Sequence, residues 1–219
     1  MTVFADPQAL AVAAADDFIK LIGDKDVFHV ALSGGSTPKF LFDELASRGR
    51  DALPWDRVHL WWGDERCVPP GDPDSNYGMT LKHLIEPLGL VNVHRMEGEL
   101  VPELAAAKYS IEMISTLGAP PVLDLVWLGL GTDGHTASLF PGTTAVDEKS
   151  KNVVAGISPN NQKRITLTFP TLANARHTRF LVTGADKVPA LALVAKGGVP
   201  AALVAGADVE WFVDRAAAQ

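Results

Sequence analysis

Apolar residues along the first third of the chain switch between two periods. From Ala9 to Ile22 they recur at helical spacing with few breakers, and Gly23-Asp24-Lys25-Asp26 reads as a stop and turn. Val27 to Leu32 follows as a strand. Pro38 suits the first turn of a helix over Lys39–Ser47, and Arg57 to Trp62 reads as a second strand. Ser75 stands where it would cap a helix running to about Ile85. A longer helical segment, Pro102 to Leu117, and the breaker Pro120-Pro121 lead into an apolar run, Leu123 to Leu130, which predicts a buried strand. Beyond it, Asn152–Ile157, Arg164–Phe169 and Arg179–Thr183 are strand-like, and Asp186–Lys196 reads as a helix. This repeated order of strand, loop and helix predicts an α/β fold, with a mainly parallel, doubly wound, Rossmann-like sheet and helices on both faces.

No internal repeat, charge run or linker interrupts the alternation, so 1–219 reads as a single domain. The loop Val68–Ser75, with its prolines, reads as the rim of an active site. Hydrophobic residues make up 47% of the chain, enough for a substantial core. The formal charge of -7 offers no general attraction to nucleic acid or to an anionic membrane. An anionic ligand therefore needs a locally built positive site. A single cysteine, Cys67, excludes an intramolecular disulfide and suits a reducing cytosol, where it reads as a small buried hydrophobe. The amino terminus lacks a secretory pattern and no apolar stretch is long enough to span a bilayer, which points to a cytoplasmic protein. Whether it is a monomer or a small homo-oligomer stays open.

Three loops carry candidate chemistry. Ser33-Gly34-Gly35-Ser36-Thr37-Pro38 joins the first strand to its helix; glycines expose backbone amides there, hydroxyls add donors, and a helix amino terminus favours negative charge, which together suit a phosphate. The loop lacks the Gly-Lys-Ser/Thr ending of a nucleotide P-loop. Gly63-Asp64-Glu65-Arg66 closes the second strand and is followed by Asp74-Ser75-Asn76; a guanidinium there can hold a phosphate in parallel hydrogen bonds, while neighbouring carboxylates orient it or bind sugar hydroxyls. The third loop, Gly129-Leu-Gly131-Thr-Asp133-Gly-His135-Thr-Ala-Ser-Leu-Phe-Pro141, puts one histidine at the carboxyl end of the buried strand, where ligands bind in open α/β sheets. Histidine is mostly neutral at cellular pH and can take a proton from water, so His135 is the candidate base, with Asp133 placed to orient it. Lys187 and Arg164 follow or open other strands and are candidates to converge on the anion site.

Other chemistries fit less well. Gly129-x-Gly131-x-x-Gly134 formally matches a dinucleotide fingerprint, but no carboxylate follows at the expected distance and Pro141-Gly142 signals a loop rather than a helix. Asp72, Asp74 and Asn76 have calcium-loop spacing, yet Tyr77 takes the place of the required glycine. There is no Gly-x-Ser-x-Gly elbow, and no His-x-x-x-His or paired-cysteine pattern for a metal.

The strings Leu32-Ser-Gly-Gly-Ser-Thr-Pro38, Trp62-Gly-Asp-Glu-Arg66, Asp74-Ser-Asn76, Gly129 to Gly142, Arg164-Ile-Thr-Leu-Thr168 and Trp211-Phe-Val-Asp214 together resemble the 6-phosphogluconolactonase family of the glucosamine/galactosamine-6-phosphate isomerase superfamily, in the right order over nearly the whole chain. The resemblance implies cofactor-free hydrolysis of a sugar phosphate lactone, 6-phospho-D-glucono-1,5-lactone, in the pentose phosphate pathway, with a fold similar to the glucosamine-6-phosphate deaminases. It implies that His135 is the general base and that Ser33 to Thr37, Arg66 and Lys187 hold the phosphate. On this reading Asp133 orients the imidazole, Asp64 positions substrate hydroxyls or the base, and loop amides from Gly131 to Gly134 are the expected oxyanion donors. The chain departs from the family pattern at Asn160–Lys163 and at Gly71-Asp72-Pro73. Alternatives are an amino-sugar-phosphate deaminase or isomerase, in which a tyrosine is expected where Arg66 stands, and a non-catalytic sugar-phosphate sensor, which would carry a DNA-binding helix-turn-helix.

Overall fold

The chain enters through β1 (Thr2–Phe4) and a helix, α1 (Pro7–Ile22), in a computed structural model that describes residues 1–219. Asp6 starts this helix: its carboxylate accepts the Ala9 amide at 2.8 Å, with Pro7 at the first helical position. β2 (Phe28–Leu32), α2 (Ser36–Ser47) and β3 (Val58–Trp62) follow, each within three residues of the periodicity reading. Next come β4 (Asp64–Arg66), α3 (Asn76–Thr80), a π-helical turn (Leu81–Ile85), α4 (Glu86–Leu88) and α5 (Pro102–Leu117). Ser75 caps α3 as expected, accepting the Gly78 amide at 3.0 Å. The second half holds β5 (Leu125–Leu128), β6 (Val153–Ile157), β7 (Lys163–Leu167), α6 (Phe169–Ala173), β8 (His177–Val182), α7 (Val188–Lys196), α8 (Pro200–Leu203) and β9 (Val209–Asp214).

Six strands form one sheet in the order β1-β9-β8-β5-β2-β3, and every pairing in it is parallel. A parallel sheet must be covered on both faces. Phe18 of α1 packs edge-on against Phe28 and Trp127, and Trp61, which points to the other side of the sheet, meets Tyr109 of α5. The four residues of β5 are at most 1% exposed, which explains an apolar run with no polar side. One cluster of 48 buried residues extends from Leu10 to Ala217.

Two features differ from the periodicity reading. β1 and β9 were invisible to it, because three residues are too short to show alternation and β9 mixes charged with aromatic residues. β6 and β7, expected to continue the parallel sheet, instead pair antiparallel with each other and with β4 in a separate sheet of order β4-β7-β6. Gly63 is where the chain changes sheets. Its amide donates to Leu32 of the first sheet and its carbonyl accepts from Leu167 of the second, both at 2.8 Å. The small sheet therefore rises from the carboxyl ends of β2 and β3 and carries Asp64, Arg66 and Arg164 over them.

Candidate active site

The carboxyl ends of β2, β3 and β5 and the small sheet enclose a cleft of about 340 Å³. Ser33, Gly34 and Gly35 contribute from the first loop, Asp64, Arg66 and Asn76 from the second, and Gly131 and His135 from the third. Arg164 and Lys187 complete the wall. Ser36 and Thr37 do not reach this cleft. They line an adjoining cavity of about 130 Å³ that shares Gly34, Gly35 and Lys187 with it, and the Thr37 hydroxyl is engaged with that of Thr183 at 2.6 Å.

His135 is held by its own loop. Asp133 accepts both the His135 backbone amide, at 3.0 Å, and the ring Nδ1, at 2.5 Å. A ring that donates from Nδ1 keeps its lone pair on Nε2, the nitrogen left to meet a ligand. Burial works to raise the Asp133 carboxyl, but the amide and ring of His135 outweigh it and hold the group below the ordinary aspartate range. Asp133 itself is not part of the cleft wall; it acts from behind the ring. Gly131 is the floor beneath the imidazole, since a Cβ there would lie 2.0 Å from Nδ1. Two of the four amides expected as oxyanion donors are spent inside the loop, Gly131 donating to the His135 carbonyl and Gly134 to that of Gly131, which leaves those of Thr132 and Asp133. Phe140 packs its ring 4.3 Å from the imidazole.

Asp64 does not touch His135. Its carboxylate accepts from Ser138 Oγ at 2.5 Å and from Asn76 Nδ2 at 3.3 Å, and Asn76 also donates to the Asp64 carbonyl at 2.8 Å. Gly34 is required by this arrangement, because a Cβ there would meet Asn76 Oδ1 at 1.7 Å. Asn76 Oδ1 is buried without a partner.

Opposite them lies a concentration of positive charge. Arg66 and Arg164 are direct cross-strand partners on β4 and β7, and Arg164 is 8% exposed with Nε and one Nη unpartnered. Burial, with Arg66 beside it, holds the Arg164 guanidinium below its ordinary range. Arg66 donates to the Asp74 carbonyl at 2.5 Å rather than to a carboxylate. No side chain caps α2, so its first-turn amides remain free donors beside Lys187. Asp64, Asp74 and Glu65 act on Arg164 from a distance, but neither guanidinium is in salt-bridge contact with a carboxylate, and two adjacent cations so placed favour a dianion.

Two supports escaped the sequence reading. Glu65, 2% exposed, accepts the amides of Arg66, Asn76 and Tyr77 and the Ser75 hydroxyl, and so ties β4 to the start of α3. Burial pushes its carboxyl up against the pull of these bonds. Ser138 is the other, and only its meeting with a residue 74 positions away reveals it. Cys67 is half-buried and burial pushes its thiol up to about 11, in keeping with an inert side chain.

A family model described as glucosamine-6-phosphate isomerases/6-phosphogluconolactonase matches residues 5–213. The chain belongs to this family. Among relatives in it, the 6-phosphogluconolactonase of Haemophilus influenzae is 38% identical over 86% of this chain and 85% of its own length. That of Treponema pallidum is 39% identical over 88% and 83%. The solved 6-phosphogluconolactonase of Trypanosoma cruzi superposes with a TM-score of 0.87 at 30% identity, covering 99% of this chain and 94% of the other. No helix of the chain is long and apolar enough to cross a membrane.

Proposed function

We propose that this chain, acting as one domain in the cytoplasm, hydrolyses 6-phospho-D-glucono-1,5-lactone to 6-phospho-D-gluconate, the pentose phosphate pathway step for which its relatives are named. The observation that carries the reading is that His135 and the Arg66–Arg164–Lys187 cluster share one cleft. The phosphate rests among the cations and the first-turn amides of α2, and this remote anchorage orients the reacting end. His135 Nε2 takes a proton from water, and the resulting hydroxide adds to the C1 carbonyl to give a tetrahedral oxyanion. Collapse of that intermediate breaks the bond from C1 to the ring oxygen, which receives the proton back from His135. Asp133 stabilises the imidazolium between the two transfers through Nδ1. Asp64 and Asn76 are left to receive the sugar hydroxyls. Base-assisted attack on an activated ester calls for no cofactor.

The decisive experiment compares rates on freshly prepared lactone with and without protein, because the lactone also opens spontaneously. His135→Ala is expected to lower kcat at least about 100-fold with a modest change in KM, and Arg66→Ala chiefly to raise KM. Near-normal turnover in His135→Ala would remove the assigned base. Ammonia released from glucosamine 6-phosphate, with no acceleration of lactone opening, would replace the reading with that of a deaminase.

A further inference from the structure

Ser138 lines the cleft, yet the mechanism above gives it no task. Ser138 is 1% exposed and donates to Asp64 Oδ2 at 2.5 Å. Three constraints put it there. Ala137 holds a left-handed φ of 48°, a conformation that non-glycine residues adopt only where the surroundings enforce it. The turn so formed closes with the Leu139 amide on the Thr136 carbonyl at 3.0 Å, and the Ser138 amide donates to Thr166 Oγ1 at 3.2 Å. Thr166 is the cross-strand partner of Asp64, so serine and aspartate are fixed to the same rung of the small sheet.

The other carboxylate oxygen of Asp64 is held by Asn76. With a donor on each oxygen the plane of the group is set, and a carboxylate oxygen that accepts one bond can still accept another. Asp133 already serves the imidazole, so Asp64 is free for a different target. We propose that Ser138 is a positioning residue that aims Asp64 at the hydroxyls of the sugar ring, so that the Ser138–Asp64–Asn76 group reads the polyol while the cations read the phosphate. A carboxylate fixed in advance binds hydroxyls without first losing its rotational freedom. The inference rests on the lactonase reading and assigns one end of the cleft within it.

The test uses the whole chain, fresh lactone, and two inhibitors: 6-phosphogluconate, which presents both ends, and inorganic phosphate, which presents only the anion. Ser138→Ala is expected to lower kcat/KM about 10-fold and to weaken 6-phosphogluconate binding about 10-fold, the range for a hydrogen bond to a charged group. Inorganic phosphate binding should stay within about 2-fold. Asp64→Asn should give the same split and a larger loss, and the double variant should be no worse than Asp64→Asn alone, because the serine acts through the aspartate. Should Ser138→Ala fail to fold, Asp64→Asn keeps the turn and still has to weaken 6-phosphogluconate selectively. Equal weakening of both inhibitors, additive losses, or a normal Ser138→Ala enzyme would overturn the assignment while leaving a His135-dependent lactonase intact. A wild-type chain no faster than spontaneous opening would overturn both.

Discussion

A single absent methyl group decides where the imidazole can lie. Gly131 does not have a positive φ, so the left-handed region does not exclude alanine there, but its Cβ would stand 2.0 Å from His135 Nδ1. The ring would have to leave Asp133 to relieve the contact. Gly131→Ala should therefore cost about as much turnover as loss of the base, on the order of 100-fold. Circular dichroism and inorganic phosphate binding should be unchanged, because the anion end does not depend on the ring. A Gly131→Ala enzyme with normal kcat would mean that the imidazole works from another position. Asp133 was a candidate partner of His135 in the sequence because the two residues are neighbours in one loop, but the sequence left Asp64 in competition with it. The Asp64–Ser138 pair was not legible, because its partners come from different strand ends.

Elements here are tied by buried charge as well as by apolar packing. Arg179 on β8 is 4% exposed at its side chain and meets Asp17 of α1 at 2.8 Å and Asp208, just before β9, at 2.9 Å. Its side chain points to the face of the sheet that α1 covers, the same face as Trp127. Arg179→Met should destabilise the fold by about 3 kcal/mol, because Asp17 loses its counter-charge and Asp208 keeps only His177. Guanidinium denaturation would show it as a lower midpoint with an unchanged slope. A loss under about 0.5 kcal/mol would mean that water replaces the arginine at no cost. Periodicity located α1, α2, α5 and the central strands to within a few residues, since each buries a regular apolar face. It could not separate parallel from antiparallel strands, because β6 and β7 show the same local pattern that a strand of the main sheet would.

Stability of the molecule against acid turns on a group of imidazoles far from the cleft. His29 and His59 are register partners on β2 and β3, and His59 meets His94 at 2.9 Å. The surrounding charges are Asp124, bound to Lys25, and Glu112, bound to His94. Burial, then the neighbouring His59, lowers His29 to about 4. The unfolded chain thus binds a proton near pH 6.5 that the folded one refuses until about pH 4, so stability is full above that window and falls across it as the pH drops. The loss should reach about 2 kcal/mol once solvent screening of this half-buried ring is allowed for. Denaturant titrations at pH 7.5 and 4.5 would measure it, and His29→Gln should remove most of the difference; an unchanged difference would assign the loss to other groups. By itself the sequence determined the α/β class, most helices and central strands, the three loops and the candidate base, because each is written in short-range spacing. Only the tertiary structure decided which aspartate holds the histidine, that Gly63 passes the chain into a second sheet, and that Arg66, Arg164 and Lys187 face one cleft. Those outcomes depend on strand order and pairing direction, which arise from burial and hydrogen bonding summed over distant segments.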